Sequence, residues 1–209
     1  MKYNFKIRNF GLRHIKTISN YMKYFTIRRN QFSKDEIWLV QHYPIYTFGI
    51  SEKTYNWVIP KNIPIMFSDR GGKTTYHGPG QLVVYFLLDL MRFKMNINQF
   101  VSLIQKTVLS TLEYFSISGY ILKNFPGIYV NNRKICSFGL RIKKGCSFYG
   151  IALNISMDLS PFDYINPCGN NIKMTQIIDV KPEINFRTVQ LVLMNNIKRY
   201  FSVLYLKQI

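Results

Sequence analysis

Acidic residues are scarce in this chain of 209 residues: 10 Asp and Glu stand against 28 Lys and Arg, a formal charge of +18. That imbalance invites a nucleic-acid partner. The lysines are scattered, however, with no block of five or six. Abundant Phe, Tyr, Ile, Asn and Lys together point to A/T-rich codons, so compositional drift accounts for most of the charge and nucleic acid is not the expected partner. A basic face that attracts an acidic protein stays open. Long apolar runs are also missing. The longest, Leu82 to Leu88, is far short of the ~18 residues of a membrane span. Met1 to Phe10 alternates basic and apolar residues without an apolar core, so no secretory signal is expected. Cysteine is rare. Cys136, Cys146 and Cys168 cannot all pair, and a reducing compartment, the cytoplasm, is the simple reading. With no Cys-x-x-Cys, and with His14, His42 and His77 far apart, no metal site is expected. Repeats, low-complexity tracts and flexible linkers are absent as well. One domain covering 1–209, with its core at about 32–205, is expected.

What the chain does have is apolar side chain, 47% of the total, enough to exclude wholesale disorder. Gly11 to Asn30 carries Leu12, Ile15, Met22 and Phe25 at helical spacing. Strands are predicted at Glu36 to His42, Ile45 to Gly49, Ile63 to Phe67 and Gln81 to Leu90, the last apolar enough to be buried on both faces. Asn98 is the expected N-cap of a helix to Phe115, with Val101, Ile104, Val108 and Leu112 on one stripe. Gly127 to Val130 and Lys134 to Ile142 form a hairpin around Asn131-Asn132-Arg133. Cys146 to Ile155 is a further strand, Ser160 to Asn171 a loop, and Asn185 to Leu204 a closing helix. The expected fold is mixed α/β (α+β), a largely hairpin-built sheet with flanking helices.

Two stretches carry the chemistry. Arg70 to Gln81 holds four glycines in twelve residues, an entropic cost that makes sense where backbone approaches something closely. Gly72-Lys73-Thr74 looks like the end of a phosphate loop, but its first glycine would fall at Phe67. The loop leads into a strand, which excludes a dinucleotide fingerprint. Arg70 and His77 beside an apolar strand suit an apolar ligand with one polar end. Among the cysteines, Cys136 lies two residues from Lys134 on a strand, so the two would share a face; Cys136 and Cys146 read as core or half-buried residues. Cys168, in Asn166-Pro167-Cys168-Gly169-Asn170, sits at a turn where its sulfur could be exposed beside backbone N–H groups; an incidental loop cysteine fits equally. A Cys-His pair with His77 and a Cys-Lys pair both remain open from spacing.

Ser68-Asp69-Arg70-Gly71-Gly72 with Thr75-Tyr76-His77-Gly78-Pro79-Gly80-Gln81 closely resembles the signature of the octanoyltransferases, also called lipoate–protein ligase B. Pro126 to Val130, Lys134 to Ile142, Gly150 to Ile155, Asp158 to Phe162 and Ile165 to Gly169 continue the likeness, in order, as do Asp35 to Val40 and His42-Tyr43-Pro44. The resemblance implies a fold of the biotin/lipoate ligase catalytic type and no cofactor. It implies transfer of an octanoyl group from octanoyl-acyl carrier protein to a lysine of lipoyl domains, in 2-oxoacid dehydrogenase complexes and the glycine cleavage H protein. Carried over by position, Cys168 becomes the thioester nucleophile and Lys134 its activator. Arg70, Gly71, Gly72, Lys73, Thr74, Thr75, Tyr76 and His77 become acyl-pocket walls, with Ser137, Phe138 and Gly139 and with Gly150, Ile151 and Ala152. An ATP-dependent lipoate or biotin ligase is the alternative on the same fold; adenylating ligases need no such thiol. Tyr149 stands where the family has His, which leaves proton transfer to Lys134, His77 or water.

Overall fold

The computed structural model describes residues 5–52, 59–165 and 172–206, with side chains through residue 204. In chain order the elements are β1 (Phe5–Arg13), α1 (Ile15–Arg28), β2 (Asp35–His42), β3 (Ile45–Phe48), β4 (Ile65–Phe67), β5 (Thr75–His77), β6 (Gln81–Leu87), α2 (Ile97–Tyr114), β7 (Tyr120–Leu122), β8 (Phe125–Val130), β9 (Arg133–Phe138), β10 (Arg141–Lys143), β11 (Cys146–Phe148), β12 (Gly150–Asn154), a 3₁₀ turn (Ser160–Tyr164), α3 (Ile177–Val180) and α4 (Phe186–Leu206).

Seven strands form one sheet in the order β1-β2-β6-β12-β9-β8-β7. Only the β1–β2 pair is parallel; every other neighbour is antiparallel. The mixed, hairpin-rich α/β expectation holds. Every residue of β6 is buried because the sheet is covered on both sides. Leu82, Val84 and Phe86 join one apolar cluster with Phe100, Ile104 and Val108 of α2 and Val189, Leu193 and Ile197 of α4. Val83, Tyr85 and Leu87 join another with Ile18 and Met22 of α1. That division is the two-residue period of a strand. A smaller sheet, β4-β3-β5, packs with the 3₁₀ turn around Tyr46, Tyr76 and Phe162.

Several local expectations are corrected. The described residues open on a strand: β1 lies beside β2, and the helix begins only at Ile15. Asn96, not Asn98, caps α2, because its side chain accepts from Gln99 N at 2.9 Å while the Gln99 side chain accepts from Asn96 N at 2.9 Å. Leu88 to Leu90 lie beyond the end of β6. The glycine-rich stretch contains β5, paired with Ile45, Tyr46 and Thr47, and the Ser160 segment contains a 3₁₀ turn. The strand expected over Cys146 to Ile155 breaks at Tyr149, whose φ of 60° is left-handed. The hairpin expectation holds with a shorter turn: Asn131 (φ 48°) and Asn132 (φ 60°) make a two-residue connection with both in the left-handed region.

Candidate active site

The glycine-rich segment is held by its own arginine. Arg70, 8% exposed, donates from Nη2 to Thr47 O at 2.8 Å and Lys73 O at 2.6 Å, from Nη1 to Gly71 O at 2.9 Å and from Nε to Thr47 Oγ1 at 3.0 Å. All four acceptors are neutral, and burial lowers the guanidinium's pKa to about 10. Close backbone approach explains the glycines, though the approach is to the protein itself. A Cβ on Gly49 would meet Gly72 O at 2.2 Å, and one on Gly71 would meet Leu140 O at 2.7 Å. Thr75 and His77 face the site; Tyr76, between them, points into the Tyr46–Phe162 cluster. Neither Gly71 nor Tyr76 lines the cavity described below.

Lys134 is aimed by an irregularity in β9. Ile128 pairs with Cys136 but Tyr129 with Lys134, so one extra residue, Ile135, is accommodated. Such a bulge resets the alternation of faces. Ile135 and Cys136 therefore both enter the helix-covered core, while Lys134 and Ser137 both line the cavity. The expectation that Lys134 and Cys136 share a face is wrong for this reason. The Cys136 thiol is wholly buried, and burial pushes its pKa up despite the nearby ammonium. Cys146 is half-buried, as expected, and burial also raises its thiol. Lys134 is 6% exposed. It donates from Nζ to Pro126 O at 2.9 Å and lies 5.3 Å from the centre of the Tyr129 ring. Among the described residues it has no carboxylate partner.

The main chain of Lys134 is tied to the strand-like segment at 173–175. Its N–H donates to Lys173 O at 2.9 Å, and its C=O accepts from Thr175 N at 3.0 Å. Asn154 extends this tie into the sheet. Its Nδ2 donates to Thr175 O at 3.0 Å and its Oδ1 accepts from Gln81 Nε2 at 2.9 Å; Gln81 Oε1 accepts from His77 Nδ1 at 2.7 Å. The partners assign the proton to Nδ1, so Nε2 of His77 is bare. Burial, with His42 and Arg70 nearby, lowers the His77 pKa to about 3. His42 is likewise buried, its pKa lowered to about 4. Its Nδ1 donates to Arg13 O at 2.9 Å and its Nε2 accepts from the Tyr85 hydroxyl at 2.7 Å.

These elements enclose a cavity of about 260 Å³. Of the residues carried over by position, Arg70, Gly72, Lys73, Thr74, Thr75 and His77 line it, as do Lys134, Ser137, Phe138, Gly139, Gly150, Ile151 and Ala152. Cys168 lies outside the described residues. Sequence reasoning did not anticipate Ile15, Ser68, Val83, Tyr85 and the 124–126 segment on the wall. Val83 and Tyr85 could have been found from the strand period of β6; the others carry no local signal. Tyr149, singled out only as a departure, also lines the cavity, and its hydroxyl donates to Asp69 Oδ1 at 2.6 Å. No helix among the described residues is long and apolar enough to cross a membrane.

Residues 18–198 match the family model for the lipoyl protein ligase A/B catalytic domain, and the chain belongs to that family. The fold agrees. Lipoate-protein ligase A bound with ATP superposes with a TM-score of 0.79 at 13% identity, covering 95% of this chain and 85% of the other. Biotin protein ligase from Aquifex aeolicus, with biotin and ATP, gives 0.56 at 13% identity over 95% and 70%. The curated relatives narrow the class. An octanoyltransferase from Buchnera aphidicola subsp. Baizongia pistaciae is 56% identical over 201 residues, 96% of this chain and 99% of the relative. One from Klebsiella pneumoniae (strain 342) is 49% identical over 184 residues, covering 88% and 86%. Within the family this chain stands with the octanoyltransferases, which are acyltransferases.

Proposed function

We propose that the protein, working in the cytoplasm as a single catalytic domain, moves an octanoyl group from octanoyl-acyl carrier protein to a lysine of lipoyl domains through a thioester on Cys168. The observation that carries this reading is the double backbone tie between Lys134 and the 173–175 segment. Cys168 lies five residues before Lys173, and five residues of extended chain reach no further than about 18 Å. The cavity wall is mainly apolar strand and bare glycine-rich backbone, with the buried ammonium of Lys134 unpaired by any described carboxylate; that combination suits an acyl chain ending in a thioester.

The chemistry balances without ATP. The Cys168 thiolate attacks the thioester carbonyl, the carbon–sulfur bond to the carrier breaks, and the leaving thiolate takes a proton from the Lys134 ammonium. The acceptor's lysine amine then attacks the acyl-enzyme, an amide forms, and Cys168 leaves as thiolate. Neutral Lys134 collects the proton that the amine loses, which restores the starting state. An ammonium beside the sulfur also favours its ionised form.

Intact mass after exposure to octanoyl-carrier protein without ATP should show one octanoyl adduct, lost in Cys168→Ala and kept in Cys136→Ala. Transfer to a lipoyl domain should fall by at least about a thousandfold in Cys168→Ala. Lys134→Ala should lower transfer by about a hundredfold or more and move the pH midpoint of thiol alkylation upward. A strict ATP requirement, or an adduct that survives in Cys168→Ala, would sink the reading.

A further inference from the structure

The cavity beside Lys134 has a neighbour. A second one, about 520 Å³, lies between the first turns of α1 and the small sheet, lined by His14, Lys16, Ser19, Tyr43 and Phe67 among others. Ile15 and Tyr149 line both. The Tyr149 hydroxyl sits between the two spaces: 3.4 Å from Oγ of Ser19, which lines the second, and 3.3 Å from Oγ of Ser68, which lines the first. Its bond to Asp69 holds it there, and Asp69 is in turn paired with Arg141 at 3.0 Å. Both wall residues are buried, Ile15 at 4% and Tyr149 at 3% exposure.

The direction of the first cavity follows from the sheet. Tyr85 on β6, Ala152 on β12, Lys134 on β9 and Pro126 on β8 all line it, and those four strands are adjacent in that order. At about 4.8 Å per strand the cavity crosses roughly 14 Å of sheet. Lys134 belongs to the β9–β8 end. Tyr149, whose ring lies 6.1 Å from that of Tyr85, belongs to the β6 end, and Ile15 opens the helix that covers that end. A chain whose carbonyl meets Lys134 therefore directs its methyl terminus at Ile15 and Tyr149.

We propose that Ile15 and Tyr149 form a partition that sets acyl chain length, and that thinning it joins the two cavities and admits longer chains. The acyl nature of the ligand rests on the proposed function; the partition itself rests on the shared lining. An extra methylene against a fixed wall costs about tenfold or more in discrimination.

The test measures binding of monomeric octanoate and dodecanoate to the full chain by calorimetry, alongside acylation by octanoyl- and dodecanoyl-pantetheine followed by intact mass. Ile15→Ala should raise the dodecanoate-to-octanoate affinity ratio by about tenfold or more. Ile15→Val, a milder change that keeps the fold if Ile15→Ala does not, should raise it by less. A ratio unmoved in the folded variants overturns the partition, even where octanoyl loading of the wild type succeeds. A ratio that shifts as expected while the wild type takes no acyl group from either thioester upholds the partition and removes the transferase reading instead.

Discussion

On β6, Leu82, Val84 and Phe86 point into a cluster closed by α2 and α4, while Val83 and Tyr85 point to the face beneath α1 where the cavity opens. The cluster on the first face is built from apolar side chains, and its thiol, Cys136, is pushed away from ionisation by burial. The second carries Arg70, His77, Lys134 and, next to them, His42, all buried. Their hydrogen-bond partners are carbonyls, a hydroxyl, an amide and a phenol rather than carboxylates. Neutral partners fix a side chain in place without cancelling its charge or supplying one. The difference is one of access: two positions apart on β9, Cys136 is walled off and Lys134 faces the cavity, and the extra residue in the strand separates their fates.

The sharpest way to test the apolar face is Phe86→Ala. Phe86 is fully buried, stacked on Phe201 at 5.3 Å and edge-on to Phe100 at 5.9 Å. Removing it should cost about 3–5 kcal/mol. At about 2–4 °C per kcal/mol for a chain of this size, thermal melting should fall by roughly 6–20 °C. A loss within a degree or two would mean that the helices do not depend on this face as described.

On the other face the corresponding change is Asn154→Leu. Asn154 is fully buried and joins Gln81 to Thr175. A leucine of similar size leaves the Gln81 amide and the Thr175 carbonyl each short of a partner, which should cost about 1–3 kcal/mol. It also loosens the segment tied to Lys134, so transfer should drop more than stability predicts. Equal loss in both Asn154→Leu and Asn154→Ala, with transfer per folded molecule unchanged, would show the bond to be structural alone.

Much of this division was legible in the sequence because it is periodic. The α2 stripe of Ile104, Val108 and Leu112 and the unbroken apolar run of β6 are local signals, and the structure follows them. The glycine-rich segment was legible as a cavity wall because glycine and polar residues are dense there. What stayed hidden is non-local. β1 pairs with a parallel partner about thirty residues away, and no short window records that. The bulge at Ile135 is invisible because Arg133 to Phe138 reads as an ordinary strand, and the misassigned face of Cys136 followed from it. Ile15 opens a helix by pattern; its place on a cavity wall depends on how that helix crosses the sheet. The Tyr149 turn was hidden because a left-handed tyrosine lacks the glycine signature of such turns.

The smallest effect separates the faces by titration. Unfolded histidine titrates near pH 6.5, whereas burial holds His42 at about 4 and His77 at about 3. Between those values the unfolded chain binds protons that the folded one refuses, so stability is complete above about pH 6.5 and falls as the pH drops towards 4. Each histidine contributes a slope of up to about 1.4 kcal/mol per pH unit in that window. Urea unfolding from pH 7 to 4.5 should therefore give a shallower pH dependence in His42→Asn, which keeps a polar side chain but removes one proton site. Phe86→Ala should lower stability at every pH and leave the slope as it was. If the two variants changed slope and offset alike, the separation into an apolar face and a titrating face would fail, because the cost of protonation would then be spread through the whole core rather than confined to the side of the sheet that holds Lys134.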